Sequence, residues 1–242
     1  MTEFLAVNGI SKSFRGLRAV SNATISVRAG SIVSLIGPNG AGKTTCFNMI
    51  AGMFPPDEGT ITLDGQRIDG LRPDQICHIG IGRTFQIVRP FRELSALENV
   101  LVGALRTERD ARAARREAEA VLDQLGMLDK RHQPAGQLTL PERKRLEVAR
   151  ALATKPRLLL LDEVMAGLRP TETDQMVAVF RDINRRQGLT ILLIEHVMRA
   201  VMALSEKVVV LHHGEIIAQG TPESVVREPA VLECYLGEET EL

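Results

Sequence analysis

The chain has 242 residues, 44% of them hydrophobic, enough to build a large core in one domain, with at most a subdomain, without metal or disulfide support. Thirty basic and thirty acidic side chains give a formal net charge of zero, so no global field directs the protein to nucleic acid or to an anionic membrane surface. The widely spaced Cys46, Cys77 and Cys234 fit neither a zinc site nor a disulfide framework and read as ordinary thiols of a reducing compartment.

No apolar run approaches the ~18 residues of a membrane span, and the acidic start Met1-Thr2-Glu3 is unlike a signal peptide, which predicts a soluble chain. Over the first thirty residues apolar and polar positions alternate around Phe4, Ala6, Val7, Ile10, then Ala23, Ile25 and Val27, the period of half-buried strands. Ser31-Ile32-Val33-Ser34-Leu35-Ile36 is a buried strand, and Gly59 to Gly65 adds another between turn residues. These predict a small antiparallel layer. From about Ser95 to Lys155 the pattern is helical; Thr107 to Met127 carries Val121, Leu122 and Leu125 as its core stripe. Arg112, Arg115 and Arg116 alternate with Glu108, Glu117, Glu119 and Asp123, the composition of an ion-paired, solvated face rather than a nucleic-acid patch. Buried strands return at Leu158 to Leu161, Thr190 to Ile194 and Lys207 to Leu211. Alternation of this kind predicts a parallel α/β core.

Between the Ile36 strand and the following helix lies Gly37-Pro38-Asn39-Gly40-Ala41-Gly42-Lys43-Thr44, a complete G-x-x-x-x-G-K-[ST] phosphate loop. Its glycines let backbone N–H groups turn toward a polyanion, and the helix presents its positive end there. Lys43 supplies a point charge for β/γ oxygens and Thr44 a hydroxyl for Mg²⁺; Thr45 completes the nucleotide-binding set. The expected ligand is a nucleoside triphosphate. Leu158 to Leu161 ends in Asp162 and Glu163, placed to serve the metal shell and to orient an attacking water, respectively. Ile191 to Ile194 runs into Glu195-His196, which puts an imidazole where it can sense a γ-phosphate.

The order of these motifs resembles the ATP-binding cassette family over nearly the whole chain. The resemblance implies an α/β fold with a P-loop NTPase (RecA-like) core, an antiparallel β subdomain and an inserted helical subdomain. It divides the chain into core and β subdomain at 1–87 and 156–220, helical subdomain at 88–155 and C-terminal segment at 221–242. Gln86 in Gly82-Arg83-Thr84-Phe85-Gln86 matches the family's glutamine loop, which reaches metal and water. Phe14 in Ser11-Lys12-Ser13-Phe14 matches the aromatic that stacks on adenine. Leu211 to Pro222 looks like the family's last hairpin, with His212 and His213 as turn residues. Gly80 to Gln86, Glu98-Asn99-Val100, Ala166-Gly167-Leu168-Arg169-Pro170 and the tail Tyr235-Leu236-Gly237-Glu238 resemble the ATPase subunits of branched-chain amino acid importers. Lipopolysaccharide export ATPases and a weakly hydrolysing ATP-gated scaffold stand as alternatives. A kinase or GTPase with the same loop, or a cassette acting on nucleic acid or ribosomes, finds no acceptor, guanine-selecting, coiled-coil or basic element.

Most of the family carry Leu-Ser-Gly-Gly-Gln before the helix that caps ATP on the opposite subunit; here the segment is Leu138-Thr139-Leu140-Pro141-Glu142. Thr139 and Glu142 keep its polar positions, but Leu140 adds a Cβ and Pro141 lacks an N–H, which predicts a weakened or rebuilt contact across the pair. Val164 stands where proline is common and Arg169 where many members have aspartate. The resemblance implies a head-to-tail, ATP-dependent pair with itself or a paralogous ATPase subunit. It also implies docking on integral membrane permease subunits, indirect service to a periplasmic binding protein, and no nucleic-acid partner; the hydrophobic residues around Ile87, Val88, Phe91 and Leu94 are candidates for the docking surface, with core packing as the alternative. The expected location is cytoplasmic, peripheral on the inner face of the plasma membrane.

Overall fold

A computed structural model describes residues 3–86 and 89–236. Strands β1 (Glu3–Phe14) and β2 (Leu17–Arg28) pair as an antiparallel hairpin. Strand β3 (Ile32–Ile36) then leads into helix α1 (Lys43–Ile50). Next come β4 (Glu58–Leu63), β5 (Gln66–Arg67), α2 (Pro73–His78) and β6 (Ile81–Arg83). Three helices follow: α3 (Ala96–Ala104), α4 (Ala111–Gln124) and α5 (Leu140–Leu152). The chain returns through β7 (Leu158–Asp162), α6 (Pro170–Gln187), β8 (Thr190–Ile194), α7 (Met198–Leu204) and β9 (Lys207–His212). It ends in β10 (Glu215–Gly220), α8 (Pro222–Val225) and α9 (Pro229–Leu236).

One sheet has the order β2-β1-β4-β5, all antiparallel; the other runs β10-β9-β3-β8-β7-β6, parallel except for β10 at its edge. Every residue of β3, β7 and β8 is buried, which is why these strands read as unbroken apolar runs rather than as alternation. Helices α3 to α6 cover one face of the parallel sheet with Leu122, Leu146, Met176 and Phe180, while the other face packs on the antiparallel sheet through Leu5, Ile25, Phe47 and Leu160. Register brings Leu35 and Asp162 both opposite Ile194. The segments leaving β3, β7 and β8 therefore emerge side by side at the carboxyl edge of the sheet, where open α/β folds bind ligands.

Three local expectations change. In β1 the run Phe4 to Val7 is buried without alternation, because this central strand is covered on both faces, with the Arg157 guanidinium 5.0 Å from the Phe4 ring centroid. The helix expected from Thr107 to Met127 spans only Ala111–Gln124: Asp110 caps it by accepting from Ala113 N–H at 2.9 Å, and Gly126 ends it at φ 64°. Of the two histidines, only His213 (φ 47°) lies in the β9–β10 turn; His212 closes β9 opposite Glu215.

Candidate active site

The loop after β3 holds three glycines at positive φ, Gly37 (144°), Gly40 (78°) and Gly42 (103°). A Cβ on Gly37 would overlap the Leu211 carbonyl oxygen, and one on Gly42 the Ala19 carbonyl oxygen, so only glycine fits this backbone. Gly214 N–H donates to Ala41 O at 2.9 Å, tying the loop to the β9–β10 turn. Lys43, the first residue of α1, is buried and its ammonium donates to the Gly37 and Pro38 carbonyls at 2.6 and 2.7 Å. Asn39, Gly40 and Thr44 are exposed, and Thr45 is half-buried. A cationic side chain, turning amides and the positive end of α1 thus converge on one concavity, the requirement for holding a polyphosphate.

Asp162 ends β7 at 1% exposure. Its backbone N–H donates to Thr84 Oγ1 at 3.0 Å, and Oδ2 accepts from Arg83 Nη2 at 3.2 Å, while Oδ1 has no hydrogen-bond partner. Arg83 also donates to Asn48 Oδ1 on α1 at 2.7 Å, so one guanidinium joins α1, β6 and β7. Burial raises the Asp162 carboxyl above the usual carboxylate range despite Arg83, and burial lowers Arg83 despite Asp162. Both partners shift toward neutrality, so the pair is short of compensation. A buried carboxylate with one orphaned oxygen close to a P-loop threonine suits a hard cation that takes oxygen ligands, and the residues present fit Mg²⁺.

Glu163 follows in the left-handed conformation at φ 49°, which costs a non-glycine residue roughly 1–2 kcal/mol. The surroundings hold it there. Its N–H donates to Ile194 O at 3.0 Å, its carbonyl accepts from Lys144 Nζ at 2.8 Å, and its Oε2 accepts from Gln86 Nε2 at 2.7 Å. His196 Nδ1 stands 3.9 Å from Oε1. Next to His196, Glu195 is 1% exposed; its Oε1 accepts from Met165 N–H at 2.8 Å and its Oε2 has no partner. Burial pushes its carboxyl up to about 7.

Thr44, Arg83, Gln86 and Asp162 line one cleft of about 450 Å³ together with Glu147 and Arg150. The structure thus brings Thr44, Gln86 and Asp162 together, and Gln86 joins Glu163 and His196 to them. Phe14, Thr139 and Glu142 make their contacts elsewhere. Phe14 lies at the end of β1, 43% exposed, edge-on to Phe54 at 5.3 Å. Thr139 and Glu142 bond each other: the Thr139 N–H and hydroxyl donate to Glu142 Oε2 at 2.8 and 2.9 Å, capping α5. Of the expected docking residues, Phe91 and Leu94 are exposed, while Ile87 and Val88 lie outside the described residues, as do Gly237 and Glu238 of the tail. Arg169 caps α6 through Glu172, and Val164 is buried.

Sequence reasoning missed Arg83, Asn48, Lys144 and Glu195. Arg83 and Glu195 were visible as charges abutting apolar strands; Asn48 and Lys144 sit within helical patterns that carry no mark of their burial or partners.

The sequence model of the ABC transporter family matches residues 20–166, and that of the branched-chain amino acid ATP-binding cassette transporter matches residues 215–241. The chain is 43% identical to the high-affinity branched-chain amino acid transport ATP-binding protein LivG of Salmonella typhimurium, over 97% of this chain and 98% of the relative. It is 41% identical to BraF of Pseudomonas aeruginosa, of the same description, over 97% and 98% of the two chains. Its fold superposes on the ADP conformation of MJ1267, an ATP-binding cassette of an ABC transporter, with a TM-score of 0.89 at 30% identity, covering 98% of this chain and all of the other. Agreement of this extent over the whole length, on a fold whose sheet edge gathers a phosphate loop and two strand-end carboxylates, places the chain in the ATP-binding cassette transporter family as one of its ATPases.

Proposed function

We propose that this chain is the ATP-hydrolysing subunit of an importer for branched-chain or related amino acids, working on the cytoplasmic face of the plasma membrane. Among the described residues no helix is long and apolar enough to cross a membrane, so movement of cargo falls to permease subunits. The loop from Gly37 to Thr45 binds the triphosphate, with Lys43 on its terminal oxygens and Phe14 as the adenine platform. Thr44, Asp162 and Gln86 would hold Mg²⁺, which when bound supplies charge neutralisation at the β and γ oxygens. Glu163 orients and polarises the attacking water, Gln86 keeps the Glu163 carboxylate aimed into the cleft, and His196 hydrogen-bonds the terminal phosphate oxygens. Two chains, or this chain and a paralogous subunit, pair head to tail so that Thr139 and Glu142 at the start of α5 complete the partner's site. The helical block at 88–155, with Phe91 and Leu94 exposed, relays opening and closing of the pair to the permease. A periplasmic binding protein is served indirectly.

One observation carries this reading: the Glu163 carboxylate is hydrogen-bonded to Gln86, while Asp162, one residue earlier, keeps a buried oxygen without a partner and lines the same cleft as Thr44 and Gln86. The test is uptake of leucine into proteoliposomes that hold this chain with its permease and binding protein. The expected result is ATP-dependent uptake, abolished by Lys43→Ala; ATP hydrolysis that no branched-chain amino acid stimulates would contradict the importer assignment.

A further inference from the structure

The segment from Glu163 to Leu168 must be rigid enough to aim one carboxylate, yet it contains no regular element and starts with a residue at φ 49°. Its own hydrogen bonds are few: Ala166 N–H to Glu163 O at 3.2 Å and Leu168 N–H to Met165 O at 3.2 Å. Besides the bond from Glu163 N–H to Ile194 O at 3.0 Å, two buried charged side chains from different elements hold it. Lys144, one turn into α5 and 6% exposed, reaches across to the Glu163 carbonyl at 2.8 Å. Glu195, at the end of β8, takes the Met165 N–H at 2.8 Å. The ammonium of Lys144 is attracted by Glu195, Glu163 and Asp162 together, against the cost of its burial. A lysine in this setting is expensive to keep, and the backbone carbonyl of the water-orienting residue is what it grips.

We propose that Lys144 is a positioning residue for ATP hydrolysis, holding the Glu163 backbone in its left-handed conformation so that the carboxylate stays on Gln86, with Glu195 as its buried counter-charge and second clamp on the same segment. Lys144 also links the helix that begins at Thr139 to the hydrolytic carboxylate, so a displacement of α5 is transmitted to Glu163 through one hydrogen bond. Its role depends on Glu163 orienting the water, as proposed above.

Lys144→Met separates charge from position when it is combined with Glu195→Gln. The single variant leaves Glu195 buried without its cation and melts earlier. The double variant removes both charges, keeps an amide oxygen for Met165 N–H and recovers the lost melting temperature. Neither restores the grip on the Glu163 carbonyl, so kcat falls about 100-fold in both, the scale of a small misplacement of a reacting group, while KM for ATP stays within about twofold because phosphate binding is untouched. In single turnovers, Lys144→Met added to Glu163→Gln causes no further loss. A double variant that hydrolyses ATP near the normal rate, or one that does not fold, overturns the assignment of Lys144. Retention of activity by Glu163→Gln alone overturns the reading of Glu163 on which it rests.

Discussion

Arg83 shows how one side chain sets the electrostatics of the site. Its guanidinium bonds Asn48 and Asp162 and stacks 5.2 Å from the Phe85 ring centroid, with its side chain 11% exposed. Removing it by Arg83→Met leaves the Asp162 carboxylate buried without a cation, the kind of loss that costs about 3–5 kcal/mol. Chemical denaturation at neutral pH is expected to show a loss of that size, partly restored by added Mg²⁺ with ATP; an unchanged midpoint would mean that the pair carries no such load. Glu195 makes a second residue-level prediction. Its carboxyl titrates near 7 in the fold, up from 4.5, so between those values the folded protein holds a proton that the unfolded chain has released. Stability contributed by this group is therefore present at low pH and lost as pH rises through about 7. Glu195→Gln removes that loss, so calorimetry should find the variant gaining on the natural protein between about pH 5 and about pH 8, by up to about 3 kcal/mol. A difference that does not change with pH would contradict the burial-driven shift.

At the scale of elements, α5 begins with Leu140 and Pro141 and still forms a regular helix from Leu140 to Leu152. Proline is tolerated early in a helix because that N–H has no intrahelical acceptor, and the Thr139–Glu142 pair caps the first turn. Leu140 is 41% exposed, and a Cβ on Gly167 would lie 3.5 Å from its Cδ2, so the leucine rests over the segment that follows Glu163. Replacing Leu140 and Pro141 with glycine restores close backbone approach and one N–H donor. A charge-assisted hydrogen bond of about 1.5–3 kcal/mol corresponds to roughly tenfold or more in affinity, and ATP-dependent self-association is expected to tighten by that factor, with faster turnover. Light scattering and a phosphate-release assay check this; unchanged association and unchanged rate would show that the natural segment is no handicap. The strands carrying the site were legible because β3, β7 and β8 are buried on both faces and bounded by turn residues. Helix ends and the doubly covered start of β1 were not: the Asp110 cap is a local side-chain contact and the arginine over Phe4 a tertiary one, and hydrophobic periodicity reports neither.

Across the whole molecule, the parallel sheet works as a ruler. Its register sets the phosphate loop, Asp162, Glu163 and His196 side by side, and β6 delivers Gln86 to the same edge. Those residues could be picked out from the sequence because each follows directly from a strand or a motif. Lys144 could not, because its grip on the Glu163 carbonyl exists only once helix α5 packs against the sheet, and Glu195, visible as a charge at the end of a strand, gave no sign that it takes the Met165 N–H. One measurement tests the central claim, that this edge hydrolyses ATP through Glu163, most directly: single-turnover hydrolysis by Glu163→Gln, with nucleotide retention followed in the same sample. The account predicts ATP held in the presence of Mg²⁺ with cleavage slowed by at least about 100-fold, the scale of losing a positioned general base. Cleavage at the natural rate by that variant would contradict it.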